Sequence, residues 1–278
     1  MKTLYLDLGM GAAGDMLTAA LFELMPDRDR ALAQLNALGL PNTVFLPERA
    51  AKCGITGTHM RVLVKGQEED AEAMPAIGHD REHHHAHEHE HEHAHEHEHE
   101  HEHGHTHTHH HASMAQIQAL VAGLQASETV KANVLAVYER IARAESHVHG
   151  VPVTEIHFHE VGTMDALADI TAVCFLLEQL APERIVASPV QVGFGKTRCA
   201  HGLLPVPAPA TAEILMGVPI RAGSIEGELC TPTGAALVRQ FAADFTPLPL
   251  MTVEHIGYGL GKKDFPAANC LRAMLGEA

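Results

Sequence analysis

The fold is decided by residues 2–15, KTLYLDLGMGAAGD, at the beginning of the chain. Apolar and β-prone side chains dominate its first part, which predicts a strand over residues 2–8. Glycines at positions 9, 11 and 14 then predict a turn. The apolar run that follows predicts a helix over residues 15–25, which Pro26 stops.

Hydrophobic periodicity along the rest of the chain predicts an α+β protein, with strand–helix blocks on both sides of a His-rich insertion. Ser127 is expected to cap the helix that follows it. Short strands and turns are expected in the remaining C-terminal part. The predicted helices cover about 29–38, 114–124, 128–147, 164–180, 209–216 and 233–241, and the predicted strands cover about 44–50 and 58–64.

The composition indicates a globular protein that does not bind nucleic acid. The 278 residues are 46% apolar, and the formal net charge is -16, which opposes the basic surface that phosphate backbones require. No apolar run approaches the roughly 18 residues of a membrane span, and the N-terminus lacks a signal-peptide pattern. We therefore expect a cytoplasmic protein without membrane contact. Five widely spaced cysteines predict reduced thiols.

A low-complexity segment at residues 79–111 holds 18 of the 25 histidines and about half of the net negative charge. Both faces of its His-Glu alternation are polar, so no core can form on it, and we expect a disordered linker over residues 67–113. Neutral imidazole is a good ligand for nickel, copper and zinc, and the irregular spacing predicts many exchangeable metal sites. The linker divides the chain into predicted blocks at 1–66 and 114–278.

The glycine turn admits more than one interpretation. It matches G-x-G-x-x-G, but the parallel strand ending in an acidic residue that a dinucleotide-binding unit needs does not follow. The backbone N–H groups of Gly9, Gly11 and Gly14 can still face a bound anion at the helix N-terminus. Asp7 and Asp15 flank the turn as candidate catalytic carboxylates. Alternatively, they are a strand-end turn residue and a first-turn acid of the helix.

The sharpest local constellation is HFHEVGTMDALAD at residues 157–169. If residues 155–160 are extended, the two histidines project from one face of a strand, and the two aspartates lie four residues apart on the following helix. Such a set suits a divalent transition metal, with nickel and zinc among the candidates. The alternative is a solvated polar turn with Thr163 as the helix N-cap. The predicted metal ligands are His157, His159, Glu160, Asp165 and Asp169.

Two further loops offer groups for anion binding, and a third offers a titratable histidine. Residues 194–197, FGKT, resemble the end of a P-loop without its leading glycine, yet Lys196 and Arg198 can contact an anion. Thr231 or Thr233 can cap a helix whose N-terminus accepts an anion. His201 is the titratable residue of the proline-punctuated loop at residues 201–209.

These motifs together resemble the LarC family, the nickel-insertion proteins of nickel-pincer cofactor biosynthesis. One motif departs from the family pattern, because the Pro-Asn pair typical of the family is replaced by PAAN at residues 266–269. The matching stretches follow one another over almost the whole chain, at residues 4–7 with 11–16, the His-rich insertion, 157–162 with Asp165 and Asp169, 201–209, 228–236, and Asn269 with Leu271 and Arg272.

The resemblance implies a CTP-dependent nickel chelatase of the lyase class. Such an enzyme places nickel between two thiocarboxylate sulfurs of a pyridinium mononucleotide and bonds it to a ring carbon, which gives the cofactor of lactate racemase and related enzymes. LarC-like proteins commonly continue into a C-terminal domain implicated in CTP binding. We expect that domain to be absent from this chain and CTP with Mg(II) or Mn(II) to act when it is supplied separately.

The resemblance and the motifs give each segment an expected role. Residues 79–111 collect Ni(II), the five predicted ligands hold it for transfer, and the glycine turn with the two anion loops binds the anionic precursor. A carboxylate or His201 accepts the ring proton, and the protein is expected to be a homo-oligomer. The alternatives are a nickel storage or delivery protein without catalytic activity, and a nucleotide-dependent enzyme, which rests on the glycine turn alone.

Overall fold

A computed structural model shows the α+β fold that the sequence predicts. It describes residues 1–68, 112–158, 160–199 and 201–278, and of His157 and Glu160 it describes the backbone. In these ranges the helices are α1 (Gly14–Glu23), α2 (Arg28–Asn36), α3 (Met114–Ala122), α4 (Glu128–His149), α5 (Met164–Leu180), α6 (Pro209–Ile214) and α7 (Pro232–Phe241). The strands are β1 (Lys2–Asp7), β2 (Thr43–Lys52), β3 (Ile55–Val64), β4 (Ala112–Ser113), β5 (His157–Phe158), β6 (Arg184–Ala187), β7 (Val190–Gln191), β8 (Gly193–Phe194), β9 (Lys196–Cys199), β10 (Gly202–Pro205), β11 (Ile220–Arg221), β12 (Gly227–Glu228), β13 (Asp244–Phe245), β14 (Thr252–Leu260) and β15 (Cys270–Glu277).

A mixed seven-stranded sheet in the order β13-β6-β1-β15-β14-β3-β2 forms the frame of the described chain. Strand β1 lies inside it, parallel to β6 and antiparallel to β15. Strands β2 and β3 precede the His-rich segment, and β3 joins the rest of the sheet through β14, which follows that segment. The two blocks predicted from the sequence therefore contribute strands to the same sheet.

Helix α1 lies directly on β14 because two glycines leave the facing surface of that strand without side chains. A Cβ on Gly257 would overlap the carbonyl oxygen of Ala20, and a Cβ on Gly259 would overlap the carbonyl oxygen of Met16. All residues of α1 from Met16 to Phe22 are buried. This close approach fixes the N-terminal end of α1 against the sheet.

Helix α4 carries its buried side chains at helical spacing, with Val130, Val134, Val137 and Ile141 on one face. Ser127 caps it by accepting a hydrogen bond of 3.1 Å from the Val130 amide, which confirms the predicted cap. Helix α4 contacts α3, α5, α6 and α7. The buried side chains of these helices form one core with α1 and the sheet.

The segment before α5 differs from the predicted extended run. Short 3-10 helices cover Val153–Glu155 and Glu160–Gly162, so the strand is limited to His157–Phe158. Phe158 and Val161 are both buried, whereas a continuous strand would turn them to opposite faces. The condition of an extended run is therefore met only at residues 157–158, and the shared face that it would give the two histidines lies outside the described residues.

The prediction of short C-terminal strands is confirmed for β6 to β13, which have two to four residues each, but not for the last two strands. Strands β14 and β15 have nine and eight residues and lie next to each other inside the sheet. Gly257 and Gly259 interrupt the apolar pattern of β14, and Gly276 interrupts that of β15. Glycine within a strand weakens the pattern from which a strand is predicted.

The two ends of the predicted linker, residues 67–68 and 112–113, lie in the described part of the chain. Gln67 forms a bridge with Val64, and β4 pairs with β5 through Ala112 and Phe158. These end residues therefore belong to the folded part. Residues 69–111, with the predicted disordered His-rich run, lie outside the described residues.

The five cysteines are free thiols, which agrees with the prediction from their spacing. Cys174 and Cys230 are buried, and burial raises the pKa of both thiols above the ordinary value. They are therefore packing residues rather than thiolates at neutral pH. Within the described ranges, no helix combines the length and the apolar character needed to cross a bilayer.

Candidate functional site

A cavity of about 470 Å³ opens where the N-termini of α1, α5 and α7 approach β3, β9 and the loop after β14. The positive end of each helix dipole is at the N-terminus and therefore lies at the cavity, which favours a bound anion there. Acidic and basic side chains share its walls. The charged residues in the lining are Asp15, Arg61, Glu68, Asp165, Asp169, Arg198, Glu228, Lys262 and Lys263.

Backbone contacts join the beginning of α1 to the beginning of α7. Ala12 donates a hydrogen bond of 3.1 Å to the carbonyl oxygen of Leu229 and accepts one of 3.0 Å from the amide of Thr231. A Cβ on Gly11, whose φ is 82°, would overlap the Leu229 carbonyl, and a Cβ on Gly234 would overlap that of Ala12. The two glycines are required at this junction because other residues would separate the helix ends.

The glycine turn before α1 uses two of its amides inside the fold. Gly9 donates to Oδ1 of Asp7 at 3.1 Å, and Gly11 donates to the carbonyl oxygen of Leu8 at 2.9 Å. Gly14 is the member of the turn that lines the cavity. Anion binding by the turn stays a prediction, and Gly14 is the position from which it can act.

The acidic side of the cavity is built from α1 and α5. A Cβ on Gly14 would lie 2.6 Å from the Cβ of Asp169, so glycine permits this approach of the two helices. Asp169 is 6% exposed, and its Oδ1 has no hydrogen-bond partner. Burial raises the pKa of Asp169 well above its ordinary value, and the charges of Asp165 and Asp15 add to the rise. Burial also raises the pKa of Asp15, while the nearby imidazole of His59 opposes that rise.

Replacement of Asp169 by asparagine is expected to make the stability of the protein less dependent on pH. A carboxyl group with a raised pKa in the folded state binds its proton more tightly there than in the unfolded chain. Its contribution to stability is therefore largest below the ordinary carboxyl pKa and is lost as the pH rises through the raised pKa. Between pH 5 and pH 8, the wild type should lose more unfolding free energy than Asp169→Asn. Urea unfolding at both pH values tests this, and equal losses would contradict it.

The basic side of the cavity includes a loop whose backbone is held from two directions. The Nζ of Lys52 donates to the carbonyl oxygens of Lys262 and Lys263 at 3.2 and 3.4 Å. Asn269, which is 5% exposed, donates from Nδ2 to the carbonyl oxygen of Lys263 at 2.9 Å. Arg198 reaches the cavity from β9. The loop therefore presents its two lysines from a fixed backbone.

His59 on β3 also lines the cavity, although it belongs to none of the motifs in the sequence. Its Nδ1 lies 2.9 Å from the carbonyl oxygen of Leu260 at the end of β14. The available signal was the alternation of His59 and Arg61 with the buried Met60 and Val62 along the predicted strand. That pattern shows a polar strand face but does not show that α1 and the loop after β14 face it.

The structure brings together seven of the predicted site residues and leaves five elsewhere. Asp7 forms an ion pair of 2.6 Å with Arg272, and the ring of His201 lies 4.8 Å from that of His149. Those outside the lining are Asp7, Gly9, Gly11, Lys196 and His201, and those in the lining are Gly14, Asp15, Asp165, Asp169, Arg198, Thr231 and Thr233.

The predicted metal site lies only partly within the described side chains. Asp165 and Asp169 are in the cavity lining, and Thr163 caps α5 by accepting from the Ala166 amide at 3.3 Å, as its alternative role predicted. Among the described side chains, no group of three histidine, cysteine or acidic residues is arranged to hold a metal ion. The other predicted ligands, at positions 157, 159 and 160, are not among those side chains.

The sequence matches the model of a protein family described as Nickel insertion protein over residues 4–278. The chain belongs to this family. Because the match covers nearly the whole chain, the cavity lies within the part that the family shares. The resemblance seen in the sequence motifs is therefore confirmed at the level of the family.

Curated relatives in this nickel insertion family carry names that state a substrate. A pyridinium-3,5-bisthiocarboxylic acid mononucleotide nickel insertion protein of Desulfitobacterium hafniense (strain DSM 10664 / DCB-2) is 38% identical over 277 residues, which are 100% of this chain and 59% of the relative. A protein of that name from Clostridium acetobutylicum is 40% identical over 278 residues, covering 100% of this chain and 64% of the relative. A putative nickel insertion protein of a Synechococcus species is 38% identical over 281 residues, with 100% and 62% covered.

The chain thus spans about three-fifths of the length of these family members. No solved structure matches it. The matched span includes the residues of the cavity and both groups of strands that form the sheet.

Proposed function

We propose that this chain carries the site at which nickel is inserted into pyridinium-3,5-bisthiocarboxylic acid mononucleotide, the substrate in the names of its relatives. The observation that supports this most is that the same cavity carries both acidic and basic side chains. A nickel ion and a pyridinium ring are cationic and suit the side of Asp15, Asp165 and Asp169. The phosphate and thiocarboxylate groups are anionic and suit the lysines and arginine of the other side.

In this proposal, the acidic side receives nickel as a substrate. Asp165 and Asp169 bind it together with His157, His159 and Glu160. Carboxylate and imidazole groups are suitable ligands for nickel. Helix α5 supplies two carboxylates, so the remaining ligands have to come from the preceding segment. The raised pKa of Asp169 also supports this role, because a cation in the cavity would offset the cost of the buried carboxylate charge.

The basic side and the helix N-termini bind the anionic groups of the precursor. Arg198, Thr231 and Thr233 line the cavity and contribute to that binding, with Gly14 at the N-terminus of α1. Although Gly9, Gly11 and Lys196 lie outside the cavity lining, we propose that they also contribute to binding of the precursor. Asp7 and His201 remain proposed catalytic residues, although each has contacts elsewhere in the fold.

The remaining parts of the proposal concern the whole protein. The product is the nickel-pincer cofactor used by lactate racemase-like enzymes, and the reaction is of the lyase class. It requires CTP with Mg(II) or Mn(II). We also propose a cytoplasmic location and a homo-oligomeric assembly.

The His-rich segment collects Ni(II) for this cavity. The described residues nearest to this segment in the sequence, Glu68 and Ala112, support this role. Glu68 lines the cavity, and Ala112 pairs with Phe158, beside Gly162. Deletion of residues 79–111 is expected to reduce nickel insertion about tenfold when nickel is scarce and to leave the rate at saturating nickel unchanged. Initial rates measured over a series of nickel concentrations test this expectation. An equal loss at saturating nickel would show that the segment has another role.

Nickel insertion in vitro tests the proposed function. The purified chain receives Ni(II), CTP, Mg(II) and the pyridinium mononucleotide, with and without a separately expressed C-terminal domain of a relative. Product formation only with the added domain shows that nickel insertion by residues 1–278 depends on that domain, and product formation without it shows that these residues are sufficient. Binding of nickel without product in either mixture would instead favour the storage and delivery alternative, which the histidine content of the segment supports.

A further inference from the structure

His59 stands where two neighbouring strands separate. Thr58 of β3 pairs with Gly259 of β14. At the next position along both strands, the imidazole of His59 forms a hydrogen bond with the carbonyl oxygen of Leu260, with 2.9 Å between Nδ1 and the oxygen. The sheet backbone thus fixes the orientation of the His59 ring.

This hydrogen bond determines which nitrogen of His59 is available to a ligand. A carbonyl oxygen accepts and cannot donate, so Nδ1 carries the hydrogen. In the neutral ring, the lone pair is then on Nε2, at the opposite edge of the imidazole. His59 is half-buried and lines the cavity. It therefore offers a basic nitrogen whose orientation is set before a substrate binds.

Asp15 is an acidic neighbour of this ring. Its carboxyl group lies in the same cavity and interacts electrostatically with both His59 and Lys262. Its Oδ1 accepts a hydrogen bond of 2.8 Å from the Met16 amide, which orients the carboxylate at the beginning of α1. Asp15 and His59 are therefore neighbouring groups of the same cavity.

The proposed substrate has a ring carbon between its two thiocarboxylate-bearing positions, 3 and 5. A nickel ion held by both sulfur atoms faces that carbon. We propose that His59 is the catalytic base of nickel insertion, whose Nε2 accepts the proton of this carbon as the carbon bonds to nickel. The electron pair of the broken carbon–hydrogen bond forms the carbon–nickel bond, nickel remains divalent, and the proton resides on Nε2. This inference rests on the proposed function.

Replacement of His59 by asparagine tests the inference. Asparagine can keep a donor near the Leu260 carbonyl, but it has no basic nitrogen. With the added C-terminal domain, His59→Asn should insert nickel about 100-fold more slowly than the wild type, while its affinities for Ni(II) and the mononucleotide stay within about threefold. Free imidazole should restore about one-tenth of the wild-type rate. Deuterium on the ring carbon should slow the variant more than the wild type.

His255→Asn is the matched control, because His255 lies on β14, is exposed and is outside the cavity lining. It should insert nickel at the wild-type rate. His59→Gln, checked by circular dichroism for native structure, is a second variant if asparagine disturbs the strand, and it should show the same loss of rate.

Three results would overturn the role of His59. These are a wild-type rate in a folded His59 variant, a parallel loss of nickel or substrate affinity, and the absence of imidazole rescue. In each of them the wild type still forms product, so the proposed function survives. A wild-type protein that neither binds the mononucleotide nor forms product removes the proposed function and this inference together.

Discussion

Conversion of both Lys262 and Lys263 to glutamate is expected to weaken binding of the pyridinium mononucleotide about 1000-fold. Each lysine can form a charge-assisted hydrogen bond with phosphate or thiocarboxylate, and such a bond contributes about 1.5–3 kcal/mol. Glutamate removes these bonds and adds repulsion in a cavity that already contains three aspartates. Because Lys52 and Asn269 hold the loop through its carbonyl groups, the exchange should leave the backbone in place. Isothermal titration calorimetry with the mononucleotide measures the effect.

The control for this variant is the double exchange of Arg28 and Arg30 for glutamate. It changes the net charge by the same amount, but both arginines are exposed on the first turn of α2, outside the cavity lining. Acidic residues are favourable at that position of a helix, so the control should fold and bind normally. A similar loss of affinity in the control would assign the effect to total charge, and unchanged affinity in the lysine variant would exclude the loop from substrate binding.

Gly259→Ala is expected to lower the free energy of unfolding by about 3 kcal/mol. The added methyl group would overlap the carbonyl oxygen of Met16, and the contact is between two backbones, so a change of side-chain rotamer cannot relieve it. Helix α1 would have to move away from β14 and expose part of its buried face. Urea unfolding followed by circular dichroism gives the free energy and its dependence on denaturant.

Gly123→Ala is the matched control for that substitution. Gly123 is exposed at the end of α3 and has φ -77°, which alanine adopts without strain. Its added Cβ would lie 3.4 Å from the carbonyl oxygen of Leu120, an ordinary contact. The expected change in unfolding free energy is within about 0.5 kcal/mol. If both variants lost the same stability, close packing of α1 on the sheet would not explain the effect.

Helices with local capping signals could be predicted from the sequence, whereas strands stabilised by distant partners could not. Ser127 and Thr163 cap α4 and α5 as their positions indicate, because capping depends on residues within one turn. Strand β14 is different. Gly257 and Gly259 lower its apparent strand propensity, but they are needed because α1 packs on that face. This tertiary requirement has no signal within the strand itself.

The candidate site was predictable where its residues occur in a compact motif. Asp165 and Asp169 are one helical turn apart, and Thr231 and Thr233 flank the first residue of α7. His59 belongs to no such motif, since its place in the cavity depends on the pairing of β3 with β14. The ion pair of Asp7 could not be predicted from its position next to the glycine turn, because its partner Arg272 comes from the distant strand β15.

The two sides of the cavity differ in how closely they are tied to the core. On the acidic side, Gly14 and Gly259 place α1 against α5 and the sheet, so substitutions there disturb folding as well as chemistry. On the basic side, Lys262 and Lys263 extend from a loop that other residues hold by its backbone. Their side chains can be exchanged in evolution or by design without repacking the core. A related protein could therefore acquire a different anionic substrate through this loop while it keeps the same metal-handling half.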